Sequence, residues 1–325
     1  KSNHYIGEKM KNLIILLTCI TISVAAEGKI GGVTYFDYTN SEEKSAFNFN
    51  RQYFSYTGDN AENINYKIIF DVGRINKIVD TEGKATEDTR LVAFLKKAQI
   101  DYKTSYGKVS MGLIGTNTYG VQEKNWGYRF IEKSSIDLYK YSSTADIGVG
   151  FSRLLIENLH TSLQVVNGEG FKQPQGDKYH KISFNTTYGE RKINKNDGYN
   201  AGIIYSTEAT DSDPTNMISV FGGFAGMGLR FGAEYDMLTK GDTESSIISV
   251  SANYSFMDNK DIFLRYDMYD GDTSIDKDGS SYMITGILLS CENGLSVAPN
   301  MRIKSYESDS KESVTEYKVN FQFKF

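Results

Sequence analysis

Proline is almost missing from this chain, with three residues in 325. A residue that cannot donate to a β-ladder is kept to edges and bulges, so its scarcity leaves room for long unbroken strands. Cysteine is nearly as rare. Cys19 falls in a leader-like segment, and Cys291 alone cannot close an internal disulfide. Of three histidines, only His160 and His180 lie beyond the first few residues. Read as inward-facing on successive strands but without neighbouring Cys or spaced carboxylates, they make a poor metal site and line a polar interior instead. No Ser, His and Asp set stands in a nucleophile-elbow context, so no catalytic residue and no enzyme is expected.

Long apolar runs are absent as well. A membrane-spanning helix needs about 20 such residues. The longest run, Leu13 to Val24, is shorter and sits in MKNLIILLTCITISVAAE, which begins at Met10. Lys11 supplies a charged start and Val24-Ala25-Ala26 a small-residue cleavage site before Glu27, the pattern of a secretory signal. LLTC, ending at Cys19, offers the alternative of a lipoprotein cleavage box, with Thr18 a poor fit. Residues 1–26 thus read as upstream sequence plus a cleaved signal peptide, and 27–325 as the mature domain. Removing them takes the formal charge from -5 to -7, which argues against a nucleic-acid partner.

What the chain has is tyrosine, phenylalanine and glycine: 23, 18 and 30 residues, a composition that favours sheet over helix. From Ile30 onward it divides into sixteen alternating segments. Leu229, Phe231, Ala233, Tyr235 and Met237, for example, alternate with Arg230, Gly232, Glu234 and Asp236. Period two marks a strand with one apolar and one polar face. The links alternate too. SYG (105–107), IEN (156–158), AGM (225–227), DNK (258–260) and ENG (292–294) are tight turns. Between them fall longer polar links such as 75–91, 117–144, 168–179, 238–245 and 270–280, while 189–198 is a long link on the short-turn side. Short turns at one end and long loops at the other, with an even strand count, predict an all-β transmembrane antiparallel β-barrel. It has about sixteen strands, short periplasmic turns and long extracellular loops, and lies in the outer membrane of a Gram-negative bacterium. Only closure satisfies every strand edge in lipid.

Two motifs fail their templates. FGGFAGMG (221–228) is flanked by strand on both sides, whereas a phosphate-binding loop needs a helix N-terminus, so it reads as a tight turn with close strand packing. DGDTSIDKDG (270–279) has Ile275 where a calcium loop requires glycine. Neither supplies a cofactor or metal site.

The interior carries the remaining chemistry. The polar strand faces place Lys67, Lys97, Lys103, Lys181, Arg230, Arg265, Arg302 and Lys304, with Lys318 and Lys324, along the channel. Asp71, Asp101, Asp146, Glu234, Asp236 and Asp267 oppose them. The positive excess predicts a mild anion preference. The link 117–144 is long for a structureless loop. With Lys124, Trp126, Arg129, Glu132 and Lys133 it is the candidate constriction, the alternative being an exposed loop with Trp126 at the membrane interface. The chain ends in YKVNFQFKF, whose Tyr317, Val319, Phe321, Phe323 and Phe325 form a lipid-facing row on the strand that closes the barrel.

FNFNRQYFSY, FDVGR (70–74), WGYRFIEK (126–133), ADIGVGFS (145–152) and VVNGEG (165–170), with a terminal Phe, resemble the porins related to the phosphate-selective group. The likeness covers residues 46–170 best and the second half only by pattern. It implies a sixteen-stranded, usually trimeric channel with an inward-folded loop, and a terminal aromatic residue read by the barrel-assembly machinery. Phosphate-selective members use a ladder of arginines and a cluster of lysines. Here the basic residues are scattered among acids, so phosphate specificity does not carry over. The expected function is a water-filled porin for small hydrophilic solutes, possible anions among them including phosphate, in contact with outer-membrane lipid and lipopolysaccharide. The alternative is a structural or adhesive barrel acting through acidic surface loops.

Overall fold

The computed structural model describes residues 28–74, 78–79, 85–86, 90–211 and 213–325. The leader expectations for 1–26 and most of the 75–91 link lie outside them. The barrel strands are β1 (Lys29–Asn40), β2 (Ser45–Ala61) and β3 (Ile64–Arg74), then, past a two-residue pair β4 (Ile78–Val79) and β5 (Ala85–Thr86), β6 (Leu91–Thr104), β7 (Gly107–Gly115), β8 (Ala145–Ile156), β9 (Leu159–Val166) and β10 (Lys181–Gly189). They continue as β11 (Gly198–Glu208), β12 (Thr215–Gly226), β13 (Leu229–Lys240), β14 (Thr243–Met257), β15 (Lys260–Asp270), β16 (Ser280–Ser290), β17 (Leu295–Tyr306) and β18 (Val314–Lys324). Each pairs with its sequence neighbours in the wall, and β1 pairs antiparallel with β18, so sixteen strands form one closed barrel.

Alternation decides which side chains face out. Phe231 and Tyr235 on β13 and Ile262, Leu264 and Met268 on β15 stand exposed on the outside, while Asp236, Arg265 and Asp267 between them are buried inside. An exposed apolar row on strand after strand, with no unpaired edge, is the surface of a barrel that spans an outer membrane. At the seam, Gly32 and Phe325 exchange backbone hydrogen bonds of 3.0 and 3.1 Å, and Phe36 stacks on Phe321 with ring centres 4.6 Å apart. Phe323 and Phe325 are exposed on the outer face, as is Tyr317. The last strand is therefore tied at its final residue.

Two expectations are corrected. The 238–245 link is a two-residue turn at Gly241 and Asp242, because β13 and β14 continue into it, and Gly241 takes the left-handed φ of 57° that the turn needs. His180 lies just ahead of β10, in an exposed loop, whereas His160 is near the start of β9 at the opposite rim. The two imidazoles are thus a strand length apart.

Two β-bulges interrupt the alternation on neighbouring parts of the wall. In β2 the register slips so that Tyr35 pairs with Arg51 and Phe36 with Phe49, passing over Asn50. In β6, Ile69 pairs with Lys97 and Phe70 with Leu95, passing over Lys96. A bulge brings two consecutive side chains to one face. Asn50 with Arg51, and Lys96 with Lys97, all point into the barrel.

Candidate functional site: a constriction loop inside the barrel

The segment between β7 and β8 turns into the barrel, carrying two short helices, α1 (Gln122–Trp126) and α2 (Ser135–Leu138). Gly127 ends α1 with a left-handed φ of 78° and lets the chain reverse there. The loop lies on the inner wall through two apolar footprints. Val121, Ile136 and Tyr141 pack on Ile204, Met217, Phe221 and Ile247, while Trp126, Tyr128, Phe130 and Ile131 pack on Phe263, Ile284, Leu288 and Ala298. Each large apolar side chain buried this way contributes about 1.5–3 kcal/mol. Beneath the loop the inner wall is therefore apolar, against the expectation of a polar lumen throughout.

Polar ties fix the position. Asn125 and Asn200 exchange amide hydrogen bonds of 2.9 Å, and Tyr128 Oη donates to Asp261 at 2.6 Å. Arg302 pairs with Glu132 at 2.7 Å and donates to the Ile131 carbonyl at 2.6 Å. Arg265 pairs with Asp267 at 2.7 Å and donates to the Lys133 carbonyl. Arg230 donates to the Trp126 carbonyl at 3.1 Å and covers the Tyr128 ring. The glycines of FGGFAGMG have a role here besides the turn at Met227 and Gly228. Gly223 of β12 is paired with Gly232 of β13. A Cβ on Gly223 would come within 2.8 Å of the Asn125 side chain, and one on Gly232 within 3.1 Å. The bare backbone of this pair is the seat of Asn125.

These contacts revise the predicted pore lining. Arg230, Arg265 and Arg302 face inward, but they hold the loop, and the last two are almost fully buried. Lys181 is buried as well, and Trp126 lies in the loop's own apolar footprint rather than in the opening. Hydrogen-bonding capacity explains it: a planar guanidinium can satisfy several loop carbonyls and a carboxylate at once. Lys67, Lys103 and Lys304 are exposed and Lys97 is half-buried.

Between the loop and the wall of β17, β18 and β1 to β3 a cleft of about 400 Å³ remains. Arg51, Arg74, Arg129, Lys133, Arg302 and Lys318 line it against Asp37 and Glu132, with Tyr35, Phe49 and Phe130. Arg129 pairs with Glu123 at 2.5 Å and Asp137 at 2.8 Å. Burial opposes its charge, but these carboxylates outweigh burial and hold its pKa well above the usual value. Lys124 is shifted downward by burial and by Arg191 and Lys192 of the long turn beneath it. Across the cleft, Asp71 lies 3.5 Å from Arg51 and 3.8 Å from Lys96, and Lys96 also donates to Tyr53 Oη at 2.7 Å. Phe171, from the 167–180 loop, covers Lys96. Arg51 and Lys96 escaped the reading of the sequence. Their signal is a change of parity: the apolar row runs Leu91, Ala93, Leu95 and then Ala98, Ile100, Tyr102. In β2 it runs Phe47, Phe49 and then Phe54, Tyr56.

Among the described residues no group of three or more His, Cys, Asp or Glu side chains is placed to hold a metal ion. No protein-family model matches the chain, nor does any curated protein. Solved structures do. The loop L8 deletion mutant of OmpT, an outer membrane protein of Vibrio cholerae, superposes with a TM-score of 0.67 at 11% identity, covering 93% of this chain and 100% of that one. OmpF of Salmonella typhi, in complex with daunomycin, gives 0.66 at 12% identity, over 92% and 97% of the two chains. An anion-selective porin from Comamonas acidovorans gives 0.59 at 10%, over 92% and 100%. The fold is that of Gram-negative outer-membrane porins.

Proposed function

We propose that this barrel is a passive, water-filled channel for small hydrophilic solutes, with a mild preference for anions and no catalytic step. The observation that carries this reading is the cleft left beside the inward-folded loop, where, apart from the Arg302 and Glu132 pair that holds the loop, five basic side chains meet one acidic one. A confined, low-dielectric passage with an excess of one sign favours ions of the other. A sixteen-stranded barrel is wide enough to leave an aqueous path after the loop has taken its place. Arg129 stands between two carboxylates at the edge of that path. Its removal would take one positive charge from the edge of the passage and leave Glu123 and Asp137 without their partner.

Planar-bilayer recording of the purified protein tests this. Discrete ohmic steps are expected, with a reversal potential displaced in the anion direction under a salt gradient. Arg129→Ala should move it to neutral or to cation preference. Absence of steps would refute the channel, and an unmoved potential would remove Arg129 from the selective passage. Assembly as a homotrimer in lipopolysaccharide-bearing membrane, with insertion by the barrel-assembly machinery, belongs to the same proposal.

A further inference from the structure

A second cleft opens where the end of α2 meets the wall of β16 to β18, toward the end of the barrel that carries the long loops. Its volume is about 360 Å³, within the range of about 300–1,000 Å³ common for clefts that hold small organic ligands. Leu138, the last residue of α2, and Tyr139 after it line it together with Tyr282, Tyr306 and Val314 of the wall. It adjoins the main passage, since Arg302 lines both clefts.

The aromatic walls are held in place before any ligand arrives. Tyr139 stacks on Tyr269 with ring centres 4.5 Å apart and planes 12° from parallel. Tyr282 Oη accepts from Arg302 Nη1 at 3.1 Å and donates to Glu132 at 3.2 Å. The Tyr306 ring has the ammonium groups of Lys304 and Lys311 at 5.2 and 5.3 Å from its centre. Rings already fixed lose little freedom when a ligand packs on them, which favours binding.

Charge decides what that ligand carries. Arg302 is committed to Glu132 and to the Ile131 carbonyl, and Glu316, at the cleft's edge, lies 3.3 Å from Lys318. Among the described residues, Lys304 and Lys311 have no carboxylate at ion-pair distance, and both lie against the Tyr306 ring. The uncommitted charge here is therefore positive. Any anion is attracted to it, but only one with a flat apolar body also covers three tyrosines, Leu138 and Val314. A sugar would need directed hydrogen bonds, and Arg302, Tyr282 and Glu316 already have partners.

We propose that this cleft is a subsite for small aromatic carboxylates, of which benzoate is the simplest. The ring packs among Tyr139, Tyr282 and Tyr306, and the carboxylate meets the Lys304 ammonium with Lys311 beside it. The subsite deepens the channel reading and rests on it for a route onward through the barrel, whereas binding itself needs no conduction.

Fluorine NMR of para-fluorobenzoate with the intact, detergent-purified protein reads binding directly, with empty micelles as the blank. Saturable line broadening is expected, reversed by benzoate but not by acetate, which lacks the ring, nor by benzyl alcohol or glucose, which lack the charge. Affinity should fall about fivefold in the combined Lys304→Gln and Lys311→Gln variant, the loss of a partly exposed charge pair. Tyr306→Ser should lower it by a similar factor, and Tyr306→Phe, which keeps the ring, should not. Broadening no greater than in empty micelles, displacement by acetate or glucose as strong as by benzoate, or affinity unchanged in both the double lysine variant and Tyr306→Ser would each overturn the proposal. If a variant does not assemble, the competition series on the native barrel decides. Binding by a protein that gives no conductance steps would refute the channel and leave the subsite standing; steps without binding would do the reverse.

Discussion

Single residues in this barrel act by what they make room for as much as by what they bond. Gly223 and Gly232 face each other across two strands and leave the flat patch on which Asn125 sits. Gly223→Val would place carbon within 2.6 Å of Ile193 and 2.8 Å of Asn125, and overpacking of this kind costs about 1–3 kcal/mol. The loop should lift from the wall there, so single-channel records of the variant should show a noisier open state, while barrel assembly is unchanged. Arg302 acts in the opposite way, by bonding. Its guanidinium serves Glu132, the Ile131 carbonyl, Asn300 and Asn320 together. Arg302→Met should loosen the loop by up to about 3 kcal/mol, the low end for a broken buried pair because Glu132 keeps some contact with water. Protease cutting within 117–144 of the folded barrel would reveal it, against a resistant wild type.

Among elements, the informative features are departures from period two. Ile203-Ile204, Ile247-Ile248, Ile262-Phe263-Leu264 and Ile287-Leu288-Leu289 each hold one apolar residue too many for a strict alternation. The surplus members, Ile204, Ile247, Phe263 and Leu288, are the inner-wall seats of the loop. That signal is present in the sequence and could have located the docking face, but a doubled apolar residue also fits a slipped register, and only pairing tells the two apart. The bulge at Lys96 is a parity change of the same sort. Deletion of Lys96 should restore unbroken alternation in β6 and leave the barrel assembled, with the reversal potential moved toward cations by the lost charge. Failure of the deleted chain to assemble would mean that the bulge sets the curvature of the wall as well as its charge.

At the scale of the whole molecule, closure rests on one seam. β18 pairs with β1 along Tyr317 to Lys324, and Phe325 adds two backbone bonds to Gly32 at the very end. The alternation of YKVNFQFKF up to its last residue is what such a seam requires, since an unpaired terminal strand in lipid would leave several kcal/mol of unsatisfied backbone per residue. Deletion of Phe325 should lower the yield of assembled, heat-modifiable barrel in the outer membrane by several-fold without altering the conductance of molecules that do assemble. An unchanged yield would separate the seam from any assembly signal.

Period two, loop lengths and strand parity lie within short windows of sequence, and they were enough to determine sixteen strands, their facing and the closed barrel. That legibility has a physical cause: in lipid the choice of face is enforced at every residue, so each strand carries its own record. Which inward cations meet water was decided only by the tertiary structure. Arg230, Arg265 and Arg302 look the same in sequence as Lys67 or Lys304, and they differ because a loop from more than a hundred residues away covers them. The contacts of the Ser135 hydroxyl with Glu234 and Asp236 likewise exist only once the loop has folded inward, because they join segments that meet across the barrel and share no spacing along the chain.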